Sequence, residues 1–339
     1  MNTHPSKTFD NVRFSVLDLA PIVEGSTPQE AFKNSVDLAQ HIEEWGFNRY
    51  WLAEHHNMPG IGSSATSVLI GHIAGATKTM RVGSGGVMLP NHATLVIAEQ
   101  FGTLEALYPG RIDLGLGRAP GTDQATAFAL RRTLNTSPEE FPMQVEELRD
   151  YFSDEPISRV RAVPGTGADI PIWLLGSSDF SAQLAAEKGY PFSFASHFAP
   201  DNTLGALQLY RQHFKASRKL HAPYSMIGVN IIAAETDERA LWLATSLQQQ
   251  FLSMQRGETI QLQPPVDNMD KIWSPIEKRS VEATLDPRYT IIGSKETIKQ
   301  KLTSIINETK ADEIIINSQI YNHEDRIKSY EVVANLLTD

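Results

Sequence analysis

Gly110-Arg111-Ile112-Asp113-Leu114-Gly115-Leu116-Gly117-Arg118 is the stretch on which the fold turns. Its middle reads as a short apolar strand, and it ends in glycines and a cation. Gly115 and Gly117, with Gly121 beyond, invite comparison with a dinucleotide-binding fingerprint. That motif needs G-x-G-x-x-G running directly into a helix, and here Pro120 and Gly121 break the chain where the helix should open. Glu139 and Glu140, about twenty residues on, follow Pro138 at a helix start, not at the end of a second strand, where the acidic partner of the ribose belongs. The strand therefore belongs to another kind of α/β protein.

Reading outward in both directions shows which kind. Strand-like runs recur at Arg13 to Leu19, Tyr50 to Ala53, Val82 to Leu89, Arg111 to Leu116, Pro171 to Leu175, Phe192 to Ala195, Met226 to Ala234 and Glu313 to Asn317. Helical patterns lie between them. Thr27-Pro28-Gln29-Glu30 reads as a capping box with Pro at the first helical position. Phe32, Val36, Ala39 and Ile42 then recur at helical spacing, and Gly46 ends the helix. Further helices are predicted from Val68 to Ala76, Ala93 to Leu107, Phe180 to Lys188, Leu204 to Phe214, Glu238 to Leu252, Ile298 to Thr309 and Asp325 to Leu337. Eight strands separated by helices are the arithmetic of a closed (β/α)₈ TIM barrel, with a doubly wound open sheet as the alternative.

The chain has 339 residues, against ~250 for a plain barrel. The surplus falls in two segments, about 119–169 and 253–290. The first holds a helix of its own near Met143 to Tyr151. The second, with Pro264, Pro265, Pro275 and Pro287, is expected to cross the barrel mouth as a lid. The expectation is a single barrel domain over residues 1–339.

Composition narrows the partners. Lys and Arg number 30 against 40 Asp and Glu, a net charge of −10, and no basic run exceeds pairs such as Arg131-Arg132. That argues against nucleic acid. The first ten residues lack the apolar core of a signal peptide, and apolar runs such as Ile314-Ile315-Ile316 are far short of the ~20 residues of a membrane helix. A soluble, cytoplasmic protein that does not bind membranes is expected. With no cysteine, disulfides, thiolate metal sites and cysteine nucleophiles are excluded.

In such a barrel, chemistry belongs at the C-terminal strand ends. Those ends carry Glu54-His55-His56, then Gly83, Gly85 and Gly86, then Gly117-Arg118, Gly176-Ser177-Ser178 and Ser196-His197. Gly176-Ser177-Ser178, between a strand and a helix, fits an anion site at a helix N-terminus, with Arg118 as a second contact. Simple N-capping by a serine is the plainer reading. Ser84-Gly85-Gly86 weakens a strand and suits either close approach of backbone to a flat ligand, or a bulge or tight packing against the next helix. On a strand Glu54 and His56 share a face and His55 points away, so no metal is expected there. A neutral imidazole acting as acid, base or hydrogen-bond donor fits better, beside the plain reading of a structurally satisfied histidine pair. Nothing matches G-x-S-x-G, a P-loop or H-E-x-x-H.

Together these stretches resemble the bacterial-luciferase-like flavin-dependent monooxygenases. The resemblance rests on Tyr50 to His56, Val82 to Pro90, Gly110 to Arg118, and Trp173 to Ser178 with Ala185 to Gly189, in that order along the chain. It implies a (β/α)₈ barrel and FMN as cofactor, with reduced FMN as co-substrate. By the same resemblance Arg118, Gly176, Ser177, Ser178 and Ser181 hold the phosphate. Gly85 and Gly86 lie beside the isoalloxazine, where the family often has a cis peptide, and His55 with His56 is catalytic. The reactive cysteine of the luciferase α-subunit is Gly117 here. The implied chemistry is a C4a-(hydro)peroxyflavin formed from O₂ that oxygenates a small organic substrate, with a separate flavin reductase supplying the reduced cofactor. The resemblance also allows a homodimer, a catalytically silent flavin-binding protein, and an F420-dependent oxidoreductase of the same fold.

Overall fold

A computed structural model of the chain describes residues 9–119, 123–131 and 140–337. Pro120, Gly121, Pro138 and Glu139, which figure in the dinucleotide comparison, lie outside the described residues, as does most of the first ten. Eight parallel strands close into a ring in which each strand pairs with the next: β1 (Arg13–Asp18), β2 (Arg49–Leu52), β3 (Arg81–Met88), β4 (Ile112–Gly117), β5 (Ile172–Gly176), β6 (Phe192–Phe194), β7 (Ser225–Ala233) and β9 (Glu313–Asn317), which returns to β1. The closed barrel stands and the open sheet does not. A ninth strand, β8 (Thr290–Gly293), pairs only with the upper half of β7, from Asn230 to Ala233.

Helices separate the strands: α1 (Pro28–Glu44), α2 (Thr66–Ala76), α3 (Thr94–Leu107), α4 (Gln124–Arg131), α5 (Phe141–Tyr151), α6 (Asp179–Lys188), α7 (Thr203–His213), α8 (Asp237–Gln255), α9 (Pro275–Thr284), α10 (Lys295–Thr309) and α11 (His323–Leu337). Local chemistry sets their ends as read from sequence. The Thr27 hydroxyl accepts from Glu30 N, Pro28 opens α1, and Gly46 follows its end at φ +76°, a left-handed turn that favours glycine. Among the described residues, α4, α9 and β8 escaped the sequence reading, as did the short 3₁₀ turns Phe9–Asn11, Leu89–Asn91, Pro200–Asn202 and Met269–Lys271. No helix among the described residues is long and apolar enough to cross a membrane.

Closure assigns each residue a side. Paired residues share a face, so the pairs Leu17–Trp51, Trp51–Gly83, Gly83–Asp113, Gly115–Trp173, Leu175–Ser193, Ser193–Met226, Met226–Glu313 and Ile315–Ser15 trace one set around the ring. This set faces inward. Trp51, Trp173, Met226 and Ile315 form a cluster of their own there, separate from the large core between strands and helices. Trp51 and Trp173 meet edge to face at 5.2 Å.

Beneath this plug, at the strand starts, lies a buried charged layer. Arg49 donates to Asp113 Oδ2 at 2.6 Å and to Glu313 Oε1 at 2.7 Å, and its guanidinium lies 4.8 Å from the centre of the Trp173 ring. Arg81 takes the other oxygen of Asp113, the Tyr224 hydroxyl donates to Glu313 Oε2 at 2.9 Å, and Ser15 also donates to Glu313. Burial opposes the Arg49 charge, but Glu313 and Asp113 outweigh it and raise its pKa. Residues at this end of a barrel serve stability. Arg49→Ala takes the cation from Glu313 and leaves Asp113 to Arg81 alone, and should cost about 3–5 kcal/mol. Urea denaturation measures it, and a loss below ~1 kcal/mol would remove the layer from the account of stability.

Candidate active site

At the opposite end of the barrel, β2 runs out at Leu52 and the chain continues extended, with Ala53 N donating to Asp18 O at 3.0 Å. That carries Glu54 into the protein, where it is 1% exposed. Its Oε1 sits 2.9 Å from His56 Nε2 and 2.8 Å from His92 Nε2, and its Oε2 accepts from Met88 N at 3.0 Å. An ionised carboxylate only accepts, so both imidazoles are assigned their proton on Nε2. Burial pushes the Glu54 carboxyl up. The hydrogen bonds from His92, His56 and Met88 N outweigh that and hold it below the ordinary glutamate value. His55, between Glu54 and His56 in the chain, is half-buried.

Sequence reasoning treated Glu54 only as a rejected metal ligand and passed over His92. The available signal was Pro90-Asn91-His92 directly after a strand whose neighbour ends in Glu54. The donor atoms of Glu54, His56 and His92 lie within 4.8 Å of one another. They form a set able to take a divalent cation, although their hydrogen bonds already satisfy one another. The strand-face argument against metal considered only residues 54–56, whereas the third donor arrives from β3.

β3 and β4 make the adjoining wall. The Gly85–Gly86 peptide is cis, and the β3–β4 register shifts between Ser84 and Val87. The structure bears out the bulge and tight-packing reading of this glycine pair, with the packing against neighbouring strands rather than a helix. There is an irregularity in the ladder, and the packing leaves no room for side chains. A Cβ on Gly85 would meet Leu17 Cδ1 at 2.7 Å, and one on Gly86 the Gly115 carbonyl at 2.7 Å. Beyond the shift Met88 pairs with Gly117, where any side chain would collide with the Met88 thioether.

Arg118 follows Gly117 and places its guanidinium 4.2 Å from the ring centre of Phe180, in the first turn of α6. The fold thus brings Arg118 to the Gly176-Ser177-Ser178 turn. Ser178 occupies the N-cap of α6 with extended backbone, yet its hydroxyl makes no cap bond. Plain N-capping is therefore not what this serine does. Ser181, buried one turn on, packs so closely under Gly176 that a Cβ at 176 would lie 2.7 Å from its Oγ. Amide groups of a helix N-terminus, hydroxyls and a stacked cation converge here, which is the chemistry of an anion site.

Across the mouth runs the segment after α8. Glu24 N donates to Leu262 O at 2.9 Å, Leu262 N donates to Ile22 O at 3.3 Å, and Gly60 packs on Ile260. The chain thus spans from β7 to the loops after β1 and β2. Trp273, in this segment, packs with Met269, Val281 and Leu285 against α8. A groove of about 560 Å³ lined by Phe9, Val12, Glu43, Phe47 and Thr79 opens at the strand starts, away from all of these groups.

A (β/α)₈ barrel whose polar and glycine residues gather at its C-terminal mouth is an enzyme-type barrel. Residues 12–313 match the luciferase-like monooxygenase family model, and the chain belongs to that family. It is 56% identical to a luciferase-like monooxygenase of Escherichia coli K12, over 97% of this chain and 98% of that one. It is 61% identical to the uncharacterized protein YvbT of Bacillus subtilis, over 95% and 96%. The crystal structure of apo-MsnO8 superposes with a TM-score of 0.90 at 34% identity, covering 96% of this chain and 98% of that one. The fold alone recurs in the oxygenating component of 3,6-diketocamphane monooxygenase of Pseudomonas putida in complex with FMN (TM-score 0.73, 15% identity, coverage 95% and 97%). It recurs also in an F420-dependent secondary alcohol dehydrogenase (0.70, 14%, 97% and 100%).

The depressed Glu54 carboxyl has a pH consequence. A group whose folded pKa lies below its unfolded one adds stability above the unfolded value, near 4.3, and loses it as pH falls through the folded pKa. The stability gap between wild type and Glu54→Gln should be constant above about pH 5 and shrink on acidification below about pH 4. Denaturation at a series of pH values checks this, and a gap that widens toward acid would contradict the assignment.

Proposed function

We propose that the protein is an FMN-dependent monooxygenase that uses reduced flavin and O₂ to oxygenate a small organic substrate. The observation that carries the reading is the convergence of Arg118 on the N-terminus of α6 beside Gly176, Ser177, Ser178 and Ser181. That cradle suits a terminal phosphate, and a wall at Gly85 and Gly86 without side chains suits a flat ring system. Family membership and the FMN complex of the diketocamphane enzyme, which shares the fold, support the same reading.

Reduced FMN, when bound, supplies the electrons that activate oxygen. The chain's own residues do the rest. Arg118 and the α6 amides fix the phosphate end, and the Gly85–Gly86 backbone lets the ring lie close to β3. His55 and His56 hold or move a proton at an imidazole nitrogen. Glu54, with His92 on its other side, orients His56 and keeps its Nε2 protonated, as a buried carboxylate does for a working histidine. The segment at 253–290 shields the mouth from water. The Gly115-x-Gly117 spacing is no nicotinamide fingerprint, so a separate reductase delivers the reduced flavin. The deazaflavin F420 is the second reading, favoured by the F420-dependent dehydrogenase of the same fold.

Titration with FMN and with F420 decides between the cofactors. Arg118→Ala should weaken FMN binding by about 1.5–3 kcal/mol, the range for a hydrogen bond to a charged group, while riboflavin binding stays unchanged. Equal FMN affinity in wild type and variant removes the phosphate assignment. His55→Ala should bind FMN within about twofold but change the rate at which bound reduced flavin is reoxidised on mixing with oxygen. Identical reoxidation traces and turnover argue that His55 is structural, and rapid hydrogen peroxide release by the wild type under all conditions favours a silent flavin binder.

A further inference from the structure

Ser196 and His197, at the end of β6, have no part in the chemistry described so far. Both are buried, at 0% and 7% exposure, and Ser196 Oγ and His197 Nδ1 lack a hydrogen-bond partner among the described residues. The place of the imidazole follows from β7. Gly228 pairs with Ile315 and so faces the barrel interior, and a Cβ there would come within 2.5 Å of His197 Nδ1 and 2.6 Å of its Cε1. The ring therefore fills the interior space that Gly228 leaves, next to the plug of Met226, Ile315 and the two tryptophans. His197 N donates to Gly228 O at 3.1 Å, and Phe198 lies 4.3 Å from the imidazole centre. Backbone and ring are both held.

Burial pulls the His197 pKa down to about 4, the Gly228 carbonyl opposing it only weakly. The imidazole is thus uncharged at neutral pH, with one N–H and one lone pair. Burying polar atoms of two successive residues without partners is costly, and an apolar pair would fill the same volume more cheaply. Such atoms, buried without partners, call for partners from outside the chain: a water, an ion or a ligand.

Their neighbours indicate which part of a ligand. Ala195 N donates to Gly176 O at 2.9 Å, so Ser196 begins one strand along, about 5 Å, from the anion cradle. In a flavin mononucleotide, the atoms directly behind the phosphate are the hydroxyls of the ribityl chain, uncharged groups that both donate and accept. We propose that Ser196 Oγ and His197 Nδ1 hydrogen-bond ribityl hydroxyls of the flavin, binding the linker between the phosphate and the ring. This rests on the flavin reading above.

The test titrates wild type, Ser196→Ala, His197→Ala and His197→Asn with FMN, riboflavin and lumiflavin, the last lacking both ribityl hydroxyls and phosphate. Melting temperatures are measured without ligand. Ser196→Ala should weaken FMN and riboflavin alike by about 3- to 10-fold and leave lumiflavin unchanged. It should not lower the ligand-free melting temperature, since it removes an unsatisfied atom. His197→Ala should lose ribityl-dependent affinity, and His197→Asn, which keeps a short polar arm, should recover part of it. Unchanged affinity for all three ligands in Ser196→Ala overturns the proposal, as does an equal loss on lumiflavin or a lowered ligand-free melting temperature. Failure of the wild type to bind any of the three defeats the flavin reading itself, and the ribityl contact with it.

Discussion

A ring of eight strands has one interior, and every strand must send alternate residues into it. That steric condition governs the rest of this molecule. Inward positions near the strand starts carry charge, because Arg49 between Asp113 and Glu313 fills the space with groups that satisfy one another. The next positions carry Trp51, Trp173, Met226 and Ile315, which seal the barrel with apolar volume. Above them the inward positions fall to glycine at 85, 117 and 228. Volume is thus spent low in the barrel on the strands' own inward residues, and at the top it passes to neighbours: Leu17 against Gly85, the Met88 thioether against Gly117 and the His197 ring against Gly228.

The rim divides by chemistry. Strands β2 and β3 contribute the groups proposed to handle protons: His55, and a carboxylate that binds two imidazoles through one oxygen and a backbone amide through the other. Strands β4 to β6 contribute the groups proposed to hold the ligand: Arg118 stacked on Phe180, the α6 N-terminus, and the pair Ser196–His197. The shift in the β3–β4 ladder joins the two halves. It turns Met88 inward against Gly117 while Val87 stays in the outer core. The Met88 amide is at the same time a donor to Glu54, so the irregular strand also helps hold the carboxylate.

Much of this was legible in the chain. Eight strands could be counted because each is a short apolar run bounded by glycine, proline or a cap, and the glycine and polar residues at their ends stood out against apolar interiors. The α1 periodicity was right and Ala39 and Ile42 are buried as read, but the N-terminal half of the face is shifted. Ala31, Ser35 and Leu38 are buried, and Phe32 and Val36 only partly so, because the stripe toward the barrel is set by small residues that let the helix sit close. Strand β8 and helix α9 were missed because proline-rich sequence reads as irregular, and because four residues of strand become visible only once β7 offers an edge. The Glu54–His92 contact was illegible for a simpler reason: it joins residues 38 apart in sequence. Ser196 and His197 were noticed at a strand end, but only the fold shows that their polar atoms lack partners.

The segment that crosses the mouth is fastened unequally. On one side β8 is stitched to β7 through four paired residues, making it part of the sheet. On the other, Leu262 holds the loop after β1 through two backbone hydrogen bonds, one of them long at 3.3 Å. A flap with a hinge along one edge and a latch at the other opens at the latch. Traffic into the barrel would then pass on the side of β1 and β2, so that an incoming molecule meets His55 and His56 before it reaches the interior.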